Sequence, residues 1–299
     1  MHFYNLILLV PIIKRIIMSK VGLLLEGGGM RGIFTAGIVD YLLEKDVTFP
    51  YVIGVSAGAG AATNFVTRQI GRTKKVISHE DQKPYYGLES LRSCHRLLDL
   101  ERFVDDYALE DFPLDFDAYF SSDVDFEIVA TDIIDAKAVY FPKAITKDEL
   151  LRNGKATCAV PFTCDPVDID GHLFLDGSIA DSLPLQRCFD KGCDKIVVVM
   201  TKPKGAPPTD YHKYKLLIKK MYEKNYPEFA NMLLKRSVYY SAQLSYLNRL
   251  EEEGKVFIIR PDENLVAHFE SDAAKLEKGY QAGYDKMAKM YEDLLSFLS

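Results

Sequence analysis

Residues 22–32 read GLLLEGGGMRG, an apolar run closed by a glycine cluster that fits G-x-G-x-x-G at Gly27, Gly29 and Gly32. A short continuous apolar run ending in glycines is expected of a strand buried on both faces. The residues that follow, GIFTAGIVDYLLEK, carry Ile33, Ala36, Gly37, Tyr41 and Leu42 at helical spacing and end near Lys45. Two chemistries use a glycine turn at a helix start. Its backbone N–H groups hold either the pyrophosphate of a dinucleotide or the oxyanion of an acyl-transfer reaction.

A dinucleotide fold places Asp or Glu at the end of the second strand, roughly 20 residues beyond the last glycine, to bind the ribose hydroxyls. Here that strand is YVIGV, residues 51–55, and Ser56 stands at its end. The surrounding GVSAG, residues 54–58, fits G-x-S-x-G at a strand-to-helix junction. In a nucleophile elbow the serine occupies a strained turn, so Gly54 and Gly58 must be small for the backbones to pass closely. With Ser56 as nucleophile, the N–H groups of Gly27, Gly28 and Gly29 become the candidate oxyanion donors. Arg31 then adds a fixed positive charge that holds a substrate phosphate or orders the loop, against the plainer reading of a solvated arginine.

A serine hydroxyl also needs a proton acceptor. The stretch FLDGS, residues 174–178, offers Asp176 at the end of a hairpin strand, with Gly177 leaving room for close approach. A free aspartate, with a pKa near ~3.9, is a weak base, and partial desolvation raises it. Taken by itself an Asp-Gly pair is more often a turn.

Along the chain the pattern reads strand, glycine turn, helix, strand, turn, helix, which argues for a parallel sheet covered by helices. Residues 71–122 show no clean period and read as loops and short helices. FEIVATDI and AVYFP read as strands, and TKDELLRNGKATCAV as a helix with a capping box of Thr146 and Glu149. PVDIDGHLFLDG reads as a hairpin turning at Asp170-Gly171, and KIVVVMT as another buried strand. From Pro203 to Lys255 the pattern is mostly helical; KVFIIRP is a late strand, and a last helix runs from about Asp272 to Leu298.

GGGMRG, GVSAG and DGS, in this order and context, resemble the patatin-like phospholipase family, the lipid acyl hydrolases with a Ser/Asp dyad. The resemblance covers roughly residues 21–187. It implies an α/β, three-layer patatin-like fold with a central mostly parallel sheet flanked by helices and a helical C-terminal elaboration, residues 188–299. It implies Ser56 as nucleophile, Asp176 as base and the loop of Gly27, Gly28 and Gly29 as oxyanion hole, supported by Arg31, Gly32, Gly54, Gly58, Gly177 and Ser178, with no metal or organic cofactor. One departure is visible: the family's third motif usually continues with Gly or Ala where Ser178 stands. Its hydroxyl is placed to hydrogen-bond the carboxylate and lower its basicity. Two rival readings remain. A Ser-His-Asp triad of the α/β-hydrolase type orders its residues Ser, acid, His, which admits His268 after Asp176 but gives the GGGxRG turn no role. A non-catalytic lipid-binding protein of the same fold is the other.

Composition sets outer bounds. The 299 residues, 48% hydrophobic and 27% charged, suit one globular domain, residues 18–299. With 37 basic and 43 acidic side chains the net charge is −6, so no global field draws the chain to nucleic acid. The expected partner is a phospholipid or other acyl ester. The five cysteines show no metal spacing and read as reduced thiols of a cytoplasmic protein. Residues 1–17, MHFYNLILLVPIIKRII, form an apolar extension too short to span a membrane and without a signal-peptide cleavage site, and Met18 looks like a natural start. Residues 202–224 interleave seven lysines with Tyr211, Tyr214 and Tyr222. They read either as a peripheral membrane-facing patch or as a solvated helix face.

Overall fold

The computed structural model describes residues 20–78 and 85–299; the N-terminal extension lies outside the described residues. The first half contains β1 (Val21–Leu25), α1 (Gly32–Glu44), β2 (Tyr51–Val55), α2 (Ala57–Val66), α3 (Arg72–Ser78), α4 (Leu88–Cys94), α5 (Phe116–Ser121), β3 (Asp125–Asp132) and β4 (Lys137–Pro142). The second half adds α6 (Lys147–Cys158), β5 (Val167–Ile169), β6 (His172–Asp176), α7 (Leu185–Asp190), β7 (Lys195–Val199), α8 (Lys215–Ile218), α9 (Pro227–Glu252), β8 (Val256–Ile259) and α10 (Ala273–Leu298). A π-helical segment, Glu101–Asp111, lies in the stretch whose sequence showed no period.

The strands form one sheet in the order β5-β6-β3-β2-β1-β7-β8, with β4 also on β3. Strands β3, β2, β1, β7 and β8 are parallel, and β4, β6 and β5 join antiparallel. Successive side chains on a strand point to opposite faces, and both faces of this sheet are covered. Leu23 and Leu25 pack with α1, α2 and α10, through residues such as Ile38, Phe65 and Met287. Leu24 packs with α7 and α9, through Leu185, Tyr240 and Leu247. These are the three layers the resemblance implies, and they explain why β1 is an unbroken apolar run.

Helix α1 meets α10 at very short range: a Cβ on Gly37 would lie 2.2 Å from the Tyr280 carbonyl oxygen, and one on Gly283 2.0 Å from that of Phe34. Only hydrogen fits at either position. Glu127, buried at the centre of β3, is held by Arg187 at 2.7 and 2.5 Å and by the Tyr51 hydroxyl at 2.8 Å. That pairing offsets the cost of burying the charge and docks α7 on the sheet.

Two local expectations change. The helical pattern read from Pro203 begins only at His212, because Pro203, Pro207 and Pro208 remove backbone donors around Gly205. Thr146 caps α6 through the Glu149 N–H at 3.2 Å, but the Glu149 carboxylate reaches back to the N–H of Ile145, not of Thr146. All five cysteines are unpaired, and four are buried.

Candidate active site

The register of β3 brings the two predicted groups together. One edge of β3 is taken by β4 along Glu127–Asp132. On the other edge β2 pairs as far as Val55 opposite Val129, and β6 pairs from the opposite direction as far as Asp176 opposite Ala130. The C-terminal ends of β2 and β6 therefore meet head to head on neighbouring residues of one strand. Ser56 follows directly on Val55, so that its hydroxyl lies beside the Asp176 carboxylate and favours its ionised form.

Ser56 has φ 54° and ψ −128°, a conformation non-glycine residues rarely adopt, costing about 1–3 kcal/mol. The surroundings enforce it. The Ser56 N–H donates to Thr157 Oγ1 at 2.8 Å, Thr157 in turn donates to the Val129 carbonyl at 2.5 Å, and the Ser56 carbonyl accepts from Ala59 N–H at 2.8 Å. Close approach fixes the glycines: a Cβ on Gly58 would lie 2.2 Å from the Leu25 carbonyl oxygen, and one on Gly27 2.8 Å from Ser56 Cβ. Gly54 and Gly177 are as closely confined, against Ala59 and the Val129 carbonyl, and a Cβ on Gly32 would lie 3.1 Å from Ala57 Cβ. Thr157 carried no signal in the sequence. A threonine on a buried helix face looks like packing until the long-range contact is seen.

Asp176 is 4% exposed. Burial pushes its carboxyl above the ordinary aspartate value, and hydrogen bonds from Ser56, from the Ser178 hydroxyl and from the Ser178 N–H at 2.8 Å pull it back only in part. The net shift is upward, toward a better proton acceptor. Its backbone is fixed by bonds from Asp176 N–H to Ala159 O at 2.9 Å and from Thr131 Oγ1 to Asp176 O at 2.8 Å.

The glycine loop closes the site from the β1 side. Among the described residues, the N–H groups of Glu26, Met30 and Arg31 are taken by Val199, His268 and Gly28, whereas those of Gly27, Gly28 and Gly29 have no protein acceptor. Gly29 adopts φ 57° and its Cβ position is filled by the His268 carbonyl, 2.6 Å away. Glu26 anchors the loop: its carboxylate accepts from Thr201 N–H at 2.7 Å, from Thr201 Oγ1 at 3.1 Å and from the Tyr240 hydroxyl. Reading the motif as glycines alone overlooked it, although an acid directly before the turn was there to be noticed.

Arg31 points not to open solvent but to the Nδ1 of His268, at 3.3 Å, and burial lowers its pKa. His268 is held at about 4, by burial first and by the Arg31 charge second, so its ring is neutral. The hydrogen bonds of that ring go to Arg31 and to the Gly28 backbone, not to Ser56 or Asp176. His172 lies elsewhere, half-exposed, with Nδ1 2.7 Å from Asp132. Asp132, Asp135 and His172 cluster closely enough for a cation, but Asp132 already accepts the N–H groups of Ile134 and Asp135.

Ser56 sits between two cavities. One, of about 140 Å³, is apolar and runs under α2, lined by residues such as Ile77, Leu98, Phe103, Ile128 and Leu151. The other, of about 510 Å³, contains Asp176 and opens among Arg31, Lys202, Tyr211, Arg236 and Tyr240. From the lysine-rich stretch, Lys202, Tyr211, Lys213 and Tyr214 line this second cavity. Leu216, 84% exposed, and Met221, 45% exposed, stand outside it. No helix among the described residues is long and apolar enough to cross a membrane.

The chain is similar to known proteins in two parts. A family model described as patatin-like phospholipase matches residues 23–189, and one described as a domain of unknown function, DUF6363, matches residues 226–299. Uncharacterized protein YjjU of Escherichia coli is 33% identical over 192 residues, 62% of this chain and 53% of that protein. Patatin-like phospholipase domain-containing protein 2 of Homo sapiens is 26% identical over 169 residues, 53% of this chain and 32% of that protein. The chain thus spans about half the length of its bacterial relative. Among solved structures, VipD from Legionella pneumophila aligns with a TM-score of 0.49 at 14% identity, over 92% of this chain and 67% of that one. With the first family model matched over more than half of its length, the chain belongs to the patatin-like phospholipase family.

Proposed function

We propose that the chain is a serine lipid acyl hydrolase that cleaves phospholipids or related acyl esters through an acyl-enzyme. The observation that carries this reading is the convergence of Ser56, held in a strained strand-to-helix turn, on a buried Asp176 whose pKa is raised, at a junction between an apolar and a polar cavity. Ser56 Oγ attacks the ester carbonyl as its proton passes to Asp176. The negative charge on the tetrahedral oxygen falls to the N–H groups of Gly27, Gly28 and Gly29, a contribution of about 100 to 1000-fold per donor. Collapse expels the alcohol, which takes the proton from Asp176 and leaves the acyl group on Ser56. Water then attacks the acyl-enzyme, giving its proton to the same carboxylate, which returns it to Ser56 as the fatty acid departs.

In this reading the apolar cavity takes the acyl chain. The partners of His268 support treating it as a brace of the glycine loop rather than a third member of the dyad. The exposed Leu216, Leu217 and Met221 beside Lys215, Lys219 and Lys220 suit a peripheral membrane contact, with apolar side chains in the interface and lysines at anionic headgroups. A fluorophosphonate probe is the test. It labels Ser56 in the native chain and not in Ser56→Ala, and hydrolysis of a p-nitrophenyl ester disappears with the label. Labelling that persists in Ser56→Ala refutes the site; lipid binding without ester hydrolysis refutes the activity.

A further inference from the structure

The structure assigns to Lys202 and Arg236, with Arg31 beside them, a subsite for the phosphate group of an acyl-ester substrate, on the side of Ser56 opposite the apolar cavity; the assignment rests on the hydrolase reading above. Arg236 comes from α9, within the residues matched by the second family model, and Lys202 from the loop after β7. Neither was singled out as part of the site by sequence.

Arg236 is a built feature of the cavity wall. It is 9% exposed, and its guanidinium is oriented by two bonds, Nε to the Ser178 carbonyl at 2.8 Å and Nη2 to Ser182 Oγ at 3.2 Å. Its third nitrogen, Nη1, is buried with no protein acceptor among the described residues, and the same holds for Arg31 Nε. Buried unsatisfied donors are rare because they cost free energy, and both side chains belong to the lining of the adjoining cavity, where an anion would compensate their charge. Lys202 sits over the Tyr240 ring at 5.7 Å, with one bond, to the Pro207 carbonyl at 3.1 Å.

The charges do not cancel inside the cavity. Its acids are Glu26, which takes hydrogen bonds from Thr201 and Tyr240 and offsets part of the Arg31 and Lys202 charge, and Asp176, which loses its charge as it takes the Ser56 proton. Arg31, Lys202 and Arg236 repel one another, and burial and this repulsion together lower the Lys202 pKa to about 8. Four cations line the cavity, Arg31, Lys202, Lys213 and Arg236, against the two acids Glu26 and Asp176, and the excess of positive charge at the nucleophile points to an anionic ligand. A phosphate on the alcohol side of the scissile ester meets that demand while the acyl chain occupies the opposite cavity.

The test compares two substrates that differ only in the phosphate, 1-oleoyl-lysophosphatidic acid and 1-oleoylglycerol, using the full chain. The ratio of their kcat/KM values is expected to favour the phosphate in the native protein. It should fall by at least about 10-fold in Lys202→Gln and in Arg236→Gln, chiefly through KM, as expected for loss of a charged hydrogen bond. Arg236→Lys should recover part of it. Should Arg236→Gln fail to fold, judged by thermal melting, Lys202→Gln alone decides. A ratio that stays within about twofold of the native value in Lys202→Gln overturns the subsite. Titration of inorganic phosphate into Ser56→Ala separates the alternatives. Saturable binding lost on adding Lys202→Gln supports the subsite even if the chain hydrolyses neither lipid, whereas no binding in that case overturns it. Phosphate binding with an unmoved substrate ratio assigns the pocket to a free anion and refutes the substrate role.

Discussion

At Ser178 a single hydroxyl works against the carboxylate it touches. Burial drives the Asp176 pKa upward, and the Ser178 side chain offsets part of that rise. As the proposed base, Asp176 acts only when ionised, so activity is expected to be lost as pH falls through its pKa, which lies above the ordinary aspartate value. Ser178→Ala removes a hydrogen bond that favours the ionised form and leaves the backbone N–H in place, so the acid limb of kcat/KM against pH should move to higher pH. A limb that stays put or moves down contradicts this. Ser56, Asp176 and the glycines were legible in the sequence because each carries its requirement locally: small residues at a tight turn, or an acid beside a glycine. Thr157, Glu26 and Arg236 were not, because their importance is set by partners 101, 175 and 58 residues away.

Among the elements β3 decides the geometry. Two strands reach one of its edges from opposite ends, and their meeting point at Val129 and Ala130 is where Ser56 and Asp176 converge. Helix α6 secures that point through Thr157, which takes the Ser56 N–H and donates to the Val129 carbonyl. Thr157→Val keeps the shape and removes both bonds, leaving two buried backbone groups unpaired. It should cost about 1–3 kcal/mol per group in stability and lower kcat more than it raises KM. Denaturant melts and steady-state kinetics read the two effects; unchanged kcat with unchanged stability would exclude the role of α6. The alternation of strand and helix was readable from period alone, and the hairpin from Asp170-Gly171. The head-to-head register was not, because strand pairing depends on contacts remote in sequence.

For the whole molecule, the sheet divides two environments that meet at Ser56, an apolar one under α2 and a cationic one to which α9 contributes. Gly60 lines the apolar cavity, and a Cβ there meets nothing within 4 Å. Gly60→Leu should therefore fold normally and shift preference toward shorter acyl chains, seen as a changed ratio of long-chain to short-chain p-nitrophenyl ester turnover; an unchanged ratio separates the cavity from chain binding. A parallel sheet covered by helices followed from the period and the three-layer arrangement from the family resemblance, whereas the C-terminal supply of Tyr240 and Arg236 to the site emerges only from the fold. In the proposed reaction two residues, without a histidine, perform the proton transfer. Its most direct measurement is turnover of a short p-nitrophenyl ester by Asp176→Asn and by His268→Ala, each compared with the native chain. A loss of about 1000-fold or more is expected for Asp176→Asn and of less than about 10-fold for His268→Ala; equal losses in the two variants would refute a proton transfer by two residues alone.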